Sequence, residues 1–312
     1  MSFTRDIADY PDGIVLAVDK PYRWTSADVI RKLKYAAIRH FGKKNLKVGH
    51  AGTLDPLATG VLLVCIGNAC KRAQALQDHD KEYIARIRFG ATTPSYDLEK
   101  EVDRTFSYEH ITADAVRAAL PAFLGEQEQV APLFSAKSVD GVRAYELARK
   151  LYRSGRLAEL DAAALDSLQR NRINISELEL MDYIPEGEED RVRGDSVSLR
   201  STPAPPIVSC VPSGLVSNGP LPLPLSGGGQ APRTLSSSPS SRINLADTSA
   251  LGLPEAVIRI ACSKGTYIRA FARDLGEALG SGAHLSGLIR SRSGDYRLED
   301  ALTIEQALSL FS

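Results

Sequence analysis

The chain has 312 residues, 43% hydrophobic and 24% charged, with 38 basic and 38 acidic side chains. That makeup is ordinary for a folded globular chain and excludes a disordered or fibrous one. Four cysteines (Cys65, Cys70, Cys210, Cys262) with no C-x-x-C pair point to reduced thiols and away from a disulfide framework or a metal site.

No apolar run approaches the roughly 20 residues that a membrane span needs. The stretch Met1 to Asp6 lacks a basic region followed by an apolar core, so no secretory leader is expected and the cytoplasm is the expected compartment. Zero net charge argues against nucleic acid at first sight, but the charge is unevenly placed. Val15 to Arg88 holds fourteen basic and six acidic residues, and most of the balancing acid lies between Asp97 and Asp190. A basic face of this kind can bind phosphate by counterion release.

The first predicted strand is Ile14 to Val18, ended by Lys20-Pro21. A helix follows, capped by Thr25 or Ser26, with Asp28 in its first turn and Val29, Leu33 and Ala36 or Ala37 as its apolar stripe. Next comes Gly49-His50-Ala51-Gly52-Thr53-Leu54-Asp55-Pro56-Leu57-Ala58-Thr59-Gly60, then the apolar run Val61 to Ile66. The run reads as a buried strand and the glycine-rich part as a loop. Its glycines can take positive φ, and Pro56 keeps Asp55 out of the helical region. Asp55 is therefore expected on a stiff loop beside a buried strand.

A short helix is expected after Lys71. From Tyr83 to Phe89 apolar and basic residues alternate, as in a half-buried strand. Thr112 to Leu124 reads as a helix with Thr112 as cap. Asn174 to Ile184 and Glu255 to Cys262 read as paired strands. Residues 187–253 between them are rich in Pro, Ser and Gly and read as a disordered insertion. A helix over Ala270 to Leu279 and a capping box at Thr303 to Gln306 complete the list.

The loop from Gly49 to Gly60 resembles, at every fixed position, the signature GH-[TA]-G-[TA]-LDP-x-A-x-GVL of the TruB family of tRNA pseudouridine synthases. Asp19-Lys20-Pro21 with Trp24-Thr25-Ser26 resembles the family's DKPxGxTS, with Arg23 where glycine is common. Lys81-Glu82-Tyr83 fits its K-x-Y. Thr92 to Asp97 fits its T-x-T-x-D-x-x-G loop loosely. Gln129 to Lys137 and Gly141 to Arg149 resemble its Q-x-P-P-x-Y-SA-K and G-x-RAYELAR segments, and Cys262 to Arg269 matches CSKGTYIR in full. Gly282 to Arg290 resembles GAH-x-x-x-LRR, with Ile289 where arginine is usual. Few residues remain after these motifs, so the carboxy-terminal RNA-binding (PUA) domain of many relatives is not expected.

The resemblance implies an α+β pseudouridine synthase fold: a mixed, largely antiparallel sheet flanked by helices, with a cleft across its middle. It implies a single catalytic domain, with a core of 14–186 and 254–308. The implied activity is isomerisation of the uridine in the T-arm (TΨC) loop of tRNA, by flipping the base, without cofactor or metal and by a monomer. Asp55 would be the nucleophile, Arg269 its ion-pair partner, and Tyr83 the cover of the base. Tyr267 and Leu288 would wall the pocket. His50 would enter the space that the base leaves. Lys20, Lys71 and the helix around Arg31 and Lys34 would hold phosphates, with Lys137 and Arg143 as further candidates. The competing classes are a glycoside or nucleoside hydrolase, which needs a second carboxylate, and an RNA-binding module without chemistry. A P-loop nucleotide site is excluded, because no G-x-x-x-x-G-K-[ST] string is present.

Overall fold

The computed structural model describes residues 2–132, 138–139, 142–143, 170–187, 245–248 and 251–312. The strands in chain order are β1 (Ile14–Lys20), β2 (Val48–Ala51), β3 (Ala58–Ile66), β4 (Lys81–Phe89), β5 (Ala91–Thr92), β6 (Arg104–Thr105), β7 (Gly125–Val130), β8 (Ser138–Val139), β9 (Val142–Arg143), β10 (Arg170–Ile184), β11 (Glu255–Cys262), β12 (Ala283–Ser293) and β13 (Tyr296–Arg297). The helices used below are α1 (Ser26–Phe41), α2 (Ala73–Asp78), α3 (Ala113–Ala119), α4 (Ile268–Ala278) and α5 (Ile304–Ser309).

Nine strands form one mixed sheet in the order β1-β3-β12-β4-β11-β10-β7, with β2 beside β3 and β13 beside β12. Its neighbours run antiparallel except for β12 against β3, which is parallel. This is the α+β class with the mixed, largely antiparallel sheet that the resemblance implies.

Side-chain alternation along the strands sorts the two faces of the sheet. One face carries Leu16, Val18, Leu62, Val64, Ala85, Ile87, Ile258 and Ile260, packed with Val29, Leu33, Phe271 and Leu275 of α1 and α4. Near β1 and β3 the other face is also apolar, with Val15, Ala17, Val61, Leu63 and Cys65 in a second cluster. Burial on both sides explains the unbroken apolar run of β3. Across β4 and β11 the second face is charged instead: Arg86 and Arg88 meet Glu255, and Arg259 meets Glu82, Glu177 and Glu179. That accounts for the apolar-basic alternation of β4.

The local signals resolve into definite caps. Thr25 caps α1, and its backbone N–H donates back to Asp28 in a capping box. Arg23 has φ +64°, a conformation that favours glycine, which is why glycine suits that place in the motif. The helix expected over Thr112 to Leu124 is α3 capped by Thr112, followed by a 3-10 turn at Leu120–Phe123. Thr303 and Gln306 form the second capping box.

Lys137, the side chain of Arg143, most of Gly141 to Arg149, and Cys210 lie outside the described residues. So do 188–244 and 249–250 of the expected insertion. The described residues at its far end pack on the fold. Ala246, Thr248 and Leu253 are buried, Ala246 N–H donates to Leu98 O at 2.9 Å, and Thr248 Oγ1 accepts from Arg88 at 2.8 Å.

Candidate active site

The glycine-rich loop joins β2 to β3 and is held along its whole length. Ser26 Oγ donates to Leu54 O at 3.1 Å and accepts from Leu54 N–H at 2.9 Å. Lys20 Nζ donates to the carbonyls of Pro21, Trp24 and Pro56 at 2.9, 2.5 and 3.1 Å. Asp19 Oδ1 accepts from Gly60 N–H at 3.2 Å. Arg290 donates to Gly52 O at 3.2 Å and to Val61 O at 2.7 Å. The Asp19 to Ser26 motif therefore lies beneath the loop and anchors it. Of the three loop glycines, Gly52 and Gly60 take positive φ; Gly49 sits in β2 without it.

Asp55, at the loop's exposed turn, meets a residue 214 positions away. Arg269 Nε lies 2.9 Å from Asp55 Oδ2, and Nη2 donates to Oδ1 at 3.2 Å. Both carboxylate oxygens face the guanidinium fork, a geometry that sets orientation as well as charge. Arg269 is placed by the turn from β11 into α4. Gln129 holds that turn, accepting from Tyr267 N–H at 2.8 Å and donating to Tyr267 O at 3.1 Å.

Arg269 has a second acidic neighbour. Nη1 donates to Ser95 O at 3.2 Å and lies 3.8 Å from Asp97 Oδ2. Asp97 is buried and accepts from Ser95 Oγ at 2.6 Å and from Glu99 N–H at 2.9 Å. Burial raises its pKa, against the pull of Arg269. Arg269 is almost fully buried; burial opposes its charge, and Asp55 and Asp97 more than offset that. The sequence reading matched the Thr92 to Asp97 loop but assigned Asp97 nothing. The signal available was the aspartate of that motif.

A cavity of about 250 Å³ opens on Asp55, with Tyr83, Tyr267, Arg269, Leu288 and Arg290 in its wall. Tyr83 comes from β4, and Leu288 and Arg290 come from β12, so the cavity lies at the middle of the sheet. Burial raises the Tyr83 pKa, and Arg290 works against it. Lys81 and Lys264 also line the space. Lys81 is buried, donates to the carbonyls of Gln77 and His79, and is lowered to about 8, first by burial and then by Arg290.

The remaining expected residues are distributed otherwise. His50 lies on β2 outside the cavity wall; burial lowers its pKa, with Arg290 adding to the effect. Lys71 is exposed and borders a separate groove of about 800 Å³ with Lys43 and Lys47. Lys20 requires a correction. It is 0% exposed and its three donors go to backbone carbonyls, so it holds the loop and does not reach phosphate. Burial brings its pKa down to about 8, against the pull of Asp55 and Asp19.

Among the described residues no group of three or more His, Cys, Asp or Glu side chains is arranged to hold a metal, and no helix is long and apolar enough to cross a membrane.

Comparison with known proteins places the chain in a family. The family model described as TruB family pseudouridylate synthase (N terminal domain) matches residues 39–186. A tRNA pseudouridine synthase B of Phocaeicola vulgatus is 43% identical, over 95% of this chain and 92% of that protein. Its counterpart in Flavobacterium johnsoniae is 35% identical, over 95% of each chain. Among solved structures, a chain of a Cbf5-Nop10-Gar1 complex shares the fold with a TM-score of 0.54 at 20% identity; the match covers 97% of this chain and 56% of that one. The chain belongs to the TruB family of pseudouridylate synthases.

Proposed function

We propose that the chain is a tRNA pseudouridine synthase, an isomerase that converts the uridine of the T-arm loop to pseudouridine. The observation that carries this reading is the two-pronged contact between Arg269 and Asp55 at the mouth of a cavity walled by Tyr83, Tyr267 and Leu288. The relatives that cover most of the chain are named for this activity on tRNA.

The reaction breaks the N-glycosidic bond, turns the base, and joins carbon five to the sugar; the proton on carbon five is lost and the former glycosidic nitrogen gains one. No electron leaves or enters, so the chemistry needs no redox cofactor, and this reading uses no metal. It needs one oriented carboxylate and a pocket that keeps the free base from leaving. In this reading Asp55 supplies the carboxylate and Arg269 orients it. Tyr83 covers the base, and Tyr267 and Leu288 close the sides. A uridine in a folded loop must first leave its stack, and His50 fills the space behind it. The exposed Lys71, with Arg31 and Lys34 of α1, meets the phosphates. The protein works as a cytoplasmic monomer.

Tritium release from T-arm RNA labelled at carbon five of uracil tests the reading. Wild type releases label. Asp55→Asn releases none and still binds RNA with near wild-type affinity. Full turnover by Asp55→Asn would remove Asp55 from the chemistry, and free uracil as product would make the protein a hydrolase.

A further inference from the structure

One charge at the cavity has no part in the chemistry above. Arg290 is 1% exposed and is the largest completely buried side chain among the described residues. Among the described residues no carboxylate pairs with it. Its Nε and Nη2 donate instead to two backbone carbonyls, Val61 O and Gly52 O, at the two ends of the loop that carries Asp55. A buried guanidinium without a carboxylate is expensive, so its persistence here asks for a use.

The strand register shows where the rest of the fork lies. Arg290 stands opposite Gly60 of β3 on one side and opposite Tyr83 of β4 on the other. A Cβ on Gly60 would come within 2.3 Å of Arg290 O, so only glycine lets β12 close against β3 at this point. Directly opposed residues hold their side chains side by side on one face. The Arg290 guanidinium accordingly lies on the Tyr83 side, and both side chains line the cavity with Asp55. Arginine carries donors only. Against that guanidinium the Tyr83 oxygen can only accept, which turns the phenolic proton away from Arg290.

We propose that Arg290 is a positioning residue of the reaction: held rigid by the carbonyls of Gly52 and Val61, it aims the Tyr83 O–H into the cavity where the base sits. This rests on Tyr83 as the residue that covers the base. Arg290 touches no reacting atom and acts through Tyr83. Lysine is a poor replacement, because its compact ammonium lacks the flat fork with which Arg290 reaches Val61 O through Nε and Gly52 O through Nη2.

The test is a double-mutant cycle on the full chain, read by single-turnover tritium release and, separately, by RNA affinity. Arg290→Gln and Arg290→Lys are expected to slow the chemical step on the order of 100-fold while RNA affinity stays within about threefold, since Arg290 acts through Tyr83 and most of the affinity comes from phosphate contacts elsewhere. In a Tyr83→Phe background the same substitutions are expected to cost less than about threefold, because the hydroxyl they act through is already gone. Near wild-type rates for Arg290→Lys and Arg290→Gln would overturn the proposal, as would an equal loss in both backgrounds. Should the Arg290 variants fail to fold, Tyr83→Phe decides from the other side. It strips an acceptor from a buried guanidinium and must lower the melting temperature of the free protein; an unchanged melt overturns the contact. Wild-type label release is the control for the function itself, so a failure there is distinct from a failure of the cycle.

Discussion

Replacing Arg269 by lysine keeps the charge and removes the fork. Arg269 reaches the Asp55 carboxylate with two nitrogens, at 2.9 and 3.2 Å, where lysine offers one. A charge-assisted hydrogen bond contributes about 1.5–3 kcal/mol. The Asp55 side chain is 38% exposed, so water recovers part of the loss and about 1–2 kcal/mol remains. If the fork holds the carboxylate in its reactive orientation, that loss falls on the barrier and slows the chemical step by about 5- to 30-fold. Single-turnover tritium release measures the step, and filter binding measures RNA affinity, which is expected to change little. A wild-type single-turnover rate in Arg269→Lys refutes the reasoning, and so does a loss confined to RNA affinity.

Arg269→Met goes further and leaves Asp97 buried without its cation. Burial already raises the Asp97 pKa, with Arg269 holding it down. Removing Arg269 raises it more. A carboxylate whose folded pKa exceeds its unfolded one binds a proton more readily in the native state, so stability falls as pH rises through that window. The deficit of Arg269→Met against wild type is therefore expected to widen from about pH 4 upward in thermal melts; a deficit independent of pH removes Asp97 from the account.

Three further outcomes follow from single contacts. Gly60 has φ +97° and no room for a Cβ beside Arg290 O; strain of that kind costs about 1–3 kcal/mol and the clash adds to it, so Gly60→Ala should lower the denaturant midpoint, and an unchanged midpoint contradicts the close approach of β12. Lys20 and Lys81 are each lowered to about 8, chiefly by burial. The folded state then gives up protons before the unfolded one, so stability should rise as pH climbs from 8 towards 10.5; Lys20→Met should lose part of that slope, and a flat wild-type profile refutes the burial argument. Lys71→Glu should weaken RNA binding and reduce the slope of log affinity against log salt by about 1, and no change in slope takes Lys71 out of the footprint.

Several features needed no coordinates. Ile14 to Val18, Tyr83 to Phe89 and Asn174 to Ile184 carry their strand character in local alternation or apolar runs, and the capping boxes at Thr25 and Thr303 are local by nature. The motif around Asp55 was legible for the same reason, since a glycine-rich loop with an Asp-Pro pair is written in adjacent residues. The roles of charged side chains were harder to read. Lys20 looked like a phosphate contact, because a lysine in a basic segment normally faces water.

What only the tertiary structure decided is which charges meet. Strand order brings β12 between β3 and β4, and so sets Arg290 beside Gly60 and Tyr83. The turn into α4 and the loop after β5 bring Arg269, Asp97 and Asp55 together from three distant segments. Lys20 is turned inward by carbonyls from residues 21, 24 and 56. Backbone propensity is read over a few neighbours, whereas an ion pair or a buried donor depends on distances that only chain topology sets. The local code therefore named the loop and its carboxylate, and the packing of the sheet selected the partners that hold it.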